Sequence, residues 1–260
     1  MFPEPDWLRQ YAMHHHRDLG RISRAHLVFP EIASDSSESR PILIERAAAA
    51  KSTSLRDEVI DKTGSVKVTA MSFQNMTQYG DLFVEFMRAR RAVFIDRLKW
   101  NLQQTDGMEF DQYDTPEARW VAVHEYGRVL GGIRLMPTTA RCAIYSYMLR
   151  DAQKGLLDDI PRDVLFFDAP EDPRTWEATR LFISDDVEAE RRSLVQRMLM
   201  IAMQSTAAQA GATSVIGIVP SVFARWLKRI GMEASPVGPK FSIDGTWSQA
   251  ALFPLRHRVQ

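Results

Sequence analysis

Residues 66–70 alternate strictly: Val66, Val68 and Ala70 are apolar, Lys67 and Thr69 polar. That period of two predicts a strand. From about Asp81 the period changes, and Leu82, Phe83, Phe86, Met87, Val93 and Phe94 fall at helical spacing on one apolar stripe. Residues 120–124 and 129–135 read as two strands joined by a turn at Tyr126-Gly127. Residues 141–163 read as partly helical, and 176–183 as a further strand. Ser193 is expected to cap a long helix bearing Leu194, Met198, Leu199, Ile201 and Ala202, with Gly211 ending it. Residues 215–219 form a short apolar run of the buried-strand type. Ser221 is expected to cap another helix, with Val222, Phe223, Trp226, Leu227 and Ile230 as its stripe and Gly231 closing it. A final strand or two lies within 241–255. Strands alternating with helices predict a three-layer α/β/α domain around a mixed central sheet.

The first 65 residues lack this order. They hold a Ser- and Asp-rich tract at 33–40 and a run of alanines at 47–50. We read them as an N-terminal extension, with a helix at 7–15 and then a flexible linker. The domain proper is 66–260. The run His14, His15 and His16 is read as a solvated polar stretch, because adjacent side chains on one helix do not converge on one ion.

Composition narrows the function. Lys plus Arg number 33 and Asp plus Glu 33, so the net charge is zero. A nucleic-acid partner normally leaves a basic excess, so that class loses ground, and no basic recognition helix is visible. The single cysteine, Cys142, allows no disulfide within the chain, fits a reducing cytoplasm, and is expected to be buried packing. No segment reaches the ~18 apolar residues of a membrane span, and the acidic start at Glu4 and Asp6 does not resemble a secretory signal.

The chemistry concentrates between Arg90 and Asp114. Arg90 and Phe94 share a helix face, Trp100 follows, and then comes Gly107-Met108-Glu109-Phe110-Asp111-Gln112-Tyr113-Asp114. Carboxylates, aromatics and an arginine at this density suit a zwitterionic, cationic small molecule. An arginine pairs with its carboxylate in a bidentate fork. Aromatic faces attract a cationic centre. Asp111 and Asp114 hold an amine or fix the arginines.

These residues, followed by Gly132-Ile133-Arg134-Leu135-Met136-Pro137-Thr138-Thr139 and by Trp176-Glu177-Ala178-Thr179-Arg180, resemble the acyl-homoserine-lactone synthases over about residues 66–255. The resemblance implies a GNAT-like acyltransferase fold and synthesis of a quorum-sensing signal from S-adenosylmethionine and an acyl thioester. It implies that Arg90, Phe94, Trp100, Asp111, Asp114 and Arg134 form and brace the S-adenosylmethionine site. Glu177 is then the general base, and Thr179 and Arg180 complete the site. Thr179 stands where the family more often has Ser, and Lys99 where many members have Gly. S-adenosylmethionine is a substrate, and no metal or other cofactor is expected. As a strand residue, Arg180 is expected on the face opposite Glu177, three positions away.

The thioester donor is an acyl carrier protein or coenzyme A. Where GNAT acyltransferases cradle the coenzyme A pyrophosphate with a glycine-rich turn, residues 187–195 contain no glycine. That favours an acidic carrier protein docking on Arg225, Lys228 and Arg229, aided by Arg191 and Arg192. By the resemblance, Gly217 and Val219 line the acyl pocket, and Gly217 is expected to leave room there. Met148, Met198 and Met203 are read as core. The alternatives are an N-acyltransferase acting on another amine and a non-catalytic S-adenosylmethionine-binding module.

Overall fold

The computed structural model describes residues 65–255. The expected helix at 7–15, the His14–16 run and the linker lie outside them. The chain enters on β1 (Val66–Met71), passes a single 3-10 turn (Met76–Tyr79), and forms α1 (Leu82–Arg91). A π-helical segment (Ala92–Arg97) continues α1 directly. A two-residue ribbon follows, β2 (Gln104–Thr105) with β3 (Met108–Glu109), and then the hairpin β4 (Arg119–Glu125) and β5 (Arg128–Pro137). The short α2 (Met148–Gln153) leads to β6 (Thr175–Ile183), α3 (Ala189–Gln209), β7 (Ser214–Pro220), α4 (Phe223–Arg229), β8 (Ser235–Ile243) and β9 (Thr246–Pro254).

Seven strands form one sheet in the order β1-β4-β5-β6-β7-β9-β8. All neighbours are antiparallel except β6 and β7. The β6–β7 ladder runs only from Thr175 and Ser214 to Ala178 and Gly217. Beyond it β6 continues against β5, and β7 against β9. The two strands therefore part at the middle of the sheet.

Alternation along the strands sends side chains to two different cores. Val121, Val123, Ile133, Val215 and Phe253 pack under α3 and α4. On the other face, Phe86 and Met87 of α1 pack with Trp120, Ala122 and Phe182, while Leu149 and Ala152 of α2 pack with Met136, Ile216 and Ala250. The layering is the expected α/β/α with a mixed sheet. The hairpin turn also matches, with Tyr126 at φ 50 and Gly127 at φ 83.

Several boundaries differ from the expectation. α3 begins at Ala189, directly after Glu188, so Ser193 sits in its second turn and does not cap it. α4 begins at Phe223, and the Ser221 hydroxyl is buried with no hydrogen-bond partner among the described residues instead of capping. In 141–163 only the six residues of α2 are α-helical. Cys142 is exposed, not packed, because it sits in a bridged turn with Tyr145. Among the described residues no helix is long and apolar enough to cross a membrane.

Candidate active site

The site begins with the end of α1. At Leu98 the N–H bonds back to the Val93 carbonyl (3.0 Å), a five-residue step that widens the helix. Lys99 then takes φ 58, and the Trp100 N–H closes on the Phe94 carbonyl (2.9 Å). This reversal lays Trp100 back over Phe94, with ring centroids 5.1 Å apart and planes at 26°. A left-handed residue is needed at 99, a conformation that glycine adopts freely and that leaves Lys99 strained.

Beside this stack lies a lattice of three arginines and three carboxylates. Arg90, wholly buried, grips Asp114 with both terminal nitrogens (2.7 and 3.1 Å) and also pairs with Glu109. Arg134, equally buried, grips Asp111 (2.5 and 3.2 Å) and reaches Asp114 (3.1 Å) and the Thr179 hydroxyl (3.0 Å). Arg180 bonds Glu109 (3.1 Å) and Asp111 (2.9 Å), with its guanidinium 5.6 Å from the centre of the Phe94 ring. The Trp120 indole N–H donates to Asp114 (2.8 Å). Three positive and three negative charges cancel, so no net charge is buried. Burial pushes Asp111 up, but Arg134, Arg180 and Arg90 outweigh it and hold the carboxyl well below the usual carboxylate range. Burial also opposes ionisation of Asp114, and Arg134 and Arg90 again depress it.

The lattice changes one expected role. Arg90 is saturated by Glu109 and Asp114 and offers no open fork to a substrate carboxylate. It braces the site. Glu109, quoted in the motif but assigned no part, is buried at its centre between Arg90 and Arg180. Only its sequence position between Gly107 and Asp111 hinted at this.

Glu177 lies on β6 facing the same side. It is 1% exposed, and its two oxygens accept the main-chain N–H groups of Met148 (2.9 Å) and Leu149 (2.8 Å) at the start of α2. Burial pushes its carboxyl up to about 7. The two N–H donors and Arg134 pull the other way, while Asp151 adds to the rise. The expectation that Arg180 faces away from Glu177 is overturned. Arg180 has φ 54, and the β5–β6 register shifts between Gly132 and Arg134. This bulge adds a residue to β6 and returns Arg180 to the side of Thr179 and Glu177.

The other predicted residues fall elsewhere. A Cβ built on Gly217 would stand 2.6 Å from the Ala178 carbonyl oxygen, so this glycine permits close strand approach and adds no free room there. Val219 packs at the edge of the α3–α4 core. Met198 and Met203 are core as expected, and Met148 packs partly buried against the core under α2, with its sulfur 3.9 Å from Arg134. Lys228 is exposed on α4, and the side chains of Arg225 and Arg229 lie outside the described set. Arg192 is not a docking group: it is nearly buried and donates to the carbonyls of Val187 and Asp185. Arg191 pairs with Glu125. A cleft of about 900 Å³ between α1 and the β4–β5 turn, lined by Tyr79, Glu85, Arg88 and His124, includes none of the predicted site residues.

Comparison with known proteins agrees with this geometry. The model of the family described as autoinducer synthase matches residues 73–259. An acyl-homoserine-lactone synthase of Ralstonia solanacearum is 33% identical over 162 residues, which is 60% of this chain and 74% of that protein. An isovaleryl-homoserine lactone synthase of Bradyrhizobium diazoefficiens is 26% identical over 194 residues, 74% of this chain and 81% of the relative. A solved coenzyme A-dependent acyl-homoserine lactone synthase, bound to S-adenosylmethionine and isopentyl-CoA, superposes with a TM-score of 0.59 at 26% identity, covering 74% of this chain and 85% of that one. The matched span contains the stacked aromatics, the ion-pair lattice and Glu177, and it places this chain in the autoinducer synthase family, the acyl-homoserine-lactone synthases, which are acyltransferases.

Proposed function

We propose that this chain N-acylates S-adenosylmethionine from an acyl thioester and then closes the product to an acyl-homoserine lactone. The carrying observation is Glu177, a buried carboxyl pushed up to about 7 on the same face as the arginine–aspartate lattice. A base poised near neutrality removes a proton from an ammonium group and still releases it afterwards. The substrate amine arrives largely protonated. Glu177 takes that proton directly or through a water, and the freed nitrogen attacks the thioester carbonyl. The carbon–sulfur bond breaks and the thiol carrier departs with a proton. The methionyl carboxylate then attacks its own γ-carbon, and 5′-methylthioadenosine leaves from the sulfonium. That second step needs mainly a correctly folded substrate, because the leaving group is already activated. Phe94 and Trp100 supply the aromatic wall for the cationic substrate, with Arg180, Asp111 and Thr179 at its rim. Arg90, Arg134, Glu109 and Asp114 hold that rim in place. The reaction belongs in the cytoplasm, where such thioesters are made.

For the donor we favour an acyl carrier protein. α3 begins among Glu188, Glu190, Asp185 and Asp186, all exposed, where a coenzyme A diphosphate would otherwise meet a free helix terminus. Exposed Lys228 on α4 suits an acidic partner. Coenzyme A is the second reading, favoured by the solved relative that uses it. Purified protein given S-adenosylmethionine with acyl carrier protein and coenzyme A thioesters in parallel is expected to release a lactone and 5′-methylthioadenosine, identified by mass spectrometry. Absence of lactone with every donor, or amide formation on a different amine, overturns the reading.

A further inference from the structure

Glu177 is held by a turn whose own anchor the reaction does not explain. Residues 145–149 carry the two N–H groups that meet Glu177, and this turn is tied down by Asp151. Asp151 is fully buried and accepts four hydrogen bonds. Two come from the Ser146 N–H (3.1 and 2.9 Å), one from the Ser146 hydroxyl (2.6 Å) and one from the Tyr113 hydroxyl (3.1 Å). Tyr113 belongs to the Asp111–Asp114 turn, and its own N–H donates to Asp111 (2.9 Å). Its ring lies under Arg134, 5.5 Å from ring centre to guanidinium carbon. One carboxylate thus joins the turn that grips the base to the turn that braces the substrate rim.

We propose that Asp151 is a positioning residue for the acyl transfer, fixing the 145–149 turn against Glu177 and standing as a second carboxyl group beside that base. This rests on Glu177 being the base. The groups around Glu177 support the second half. Arg134 on β5 and the N–H groups of Met148 and Leu149 favour its ionised form, and Asp151 opposes it. Tyr113 and Tyr147 also face it: burial pushes both phenols up, helped at Tyr113 by Asp151 and then by Glu177, and at Tyr147 by Glu177. Among these groups Asp151 supplies the opposing negative charge, and the hydrogen bonds it accepts set how strongly that charge is felt.

The test is the pH dependence of kcat/KM for lactone formation in wild type, Asp151→Asn and Tyr113→Phe, with Glu177→Gln as reference. Asp151→Asn removes the charge and keeps the shape. The midpoint of the rising limb is expected to move to lower pH by roughly half a unit or more. Tyr113→Phe removes a donor from Asp151 and concentrates its charge, so the midpoint moves to higher pH. Shifts in these opposite directions establish the role. Unmoved midpoints in both folded variants overturn it, even if rates fall, because a merely structural residue changes rate without changing the base. Should Asp151→Asn fail to fold, the direction of the Tyr113→Phe shift decides alone. Retention of full activity by Glu177→Gln instead sinks the reading of Glu177 itself.

Discussion

Gly132 lies beneath the Phe86 ring so closely that a Cβ there would stand 2.2 Å from Cε2. This contact sets the height of α1 above β5, and α1 carries Arg90 into the lattice. Gly132→Ala is expected to destabilise the fold by about 1–3 kcal/mol through overpacking and to lower activity as α1 lifts. Chemical denaturation and lactone assays on the same preparation check both. Unchanged stability would mean that Phe86 moves aside without cost.

Arg90 has no exposed surface and is hydrogen-bonded to two carboxylates, Glu109 and Asp114. Arg90→Gln strips one of the two cations from each of Glu109 and Asp114, leaving Arg180 and Arg134 alone to balance three buried carboxylates, and about 3–5 kcal/mol of stability should be lost. Arg90→Lys should not rescue it, since an ammonium cannot reproduce the planar fork on Asp114. Thermal melts of the two variants decide this.

The pH behaviour follows from two opposite shifts. Glu177 holds its proton more tightly in the folded protein, with a value of about 7 against an ordinary 4.5. Its stabilising contribution is complete below the ordinary value and is lost as pH rises through about 7. Asp111 and Asp114 are depressed, so theirs is present above the usual carboxylate range and is lost as pH falls through their lowered values. Melting temperature should therefore fall on both sides. Glu177→Gln should abolish the alkaline loss, leave the acid loss, and remove most lactone formation.

Lys99 occupies the left-handed region at φ 58 to bring Trp100 onto Phe94. Lys99→Gly relieves that strain and should stabilise the protein by about 1 kcal/mol or less, with activity retained. A lower melting temperature would show that the lysine side chain contributes more than its backbone costs.

The family model begins at residue 73, and β1 begins at Val66. Removal of residues 1–64 should leave a folded enzyme with unchanged kcat. Insoluble or inactive protein would assign the extension a part in folding or catalysis.

Periodicity in the sequence determined the order of the main strands and helices, though not the β2–β3 ribbon or the start of β8 at Ser235, because burying one face imposes a spacing of two or 3.6 whatever the partner. β5, β6 and β7 were legible for that reason, and so was the stripe from Leu82 to Phe94 along α1 and its π-helical continuation. The motif residues also named the participants of the site: Arg90, Asp111, Asp114, Arg134, Glu177 and Arg180. Their roles were decided only by the tertiary structure. Arg90 is occupied by carboxylates 19 and 24 residues away, and no local pattern reports such a pairing. The bulge at Arg180 broke the alternation that placed it opposite Glu177. Gly217 exists for the approach of Ala178 on a neighbouring strand. The proton affinity of Glu177 comes from burial and from groups on β5 and α2. Electrostatics acts through space, and that distance appears only once the chain has folded.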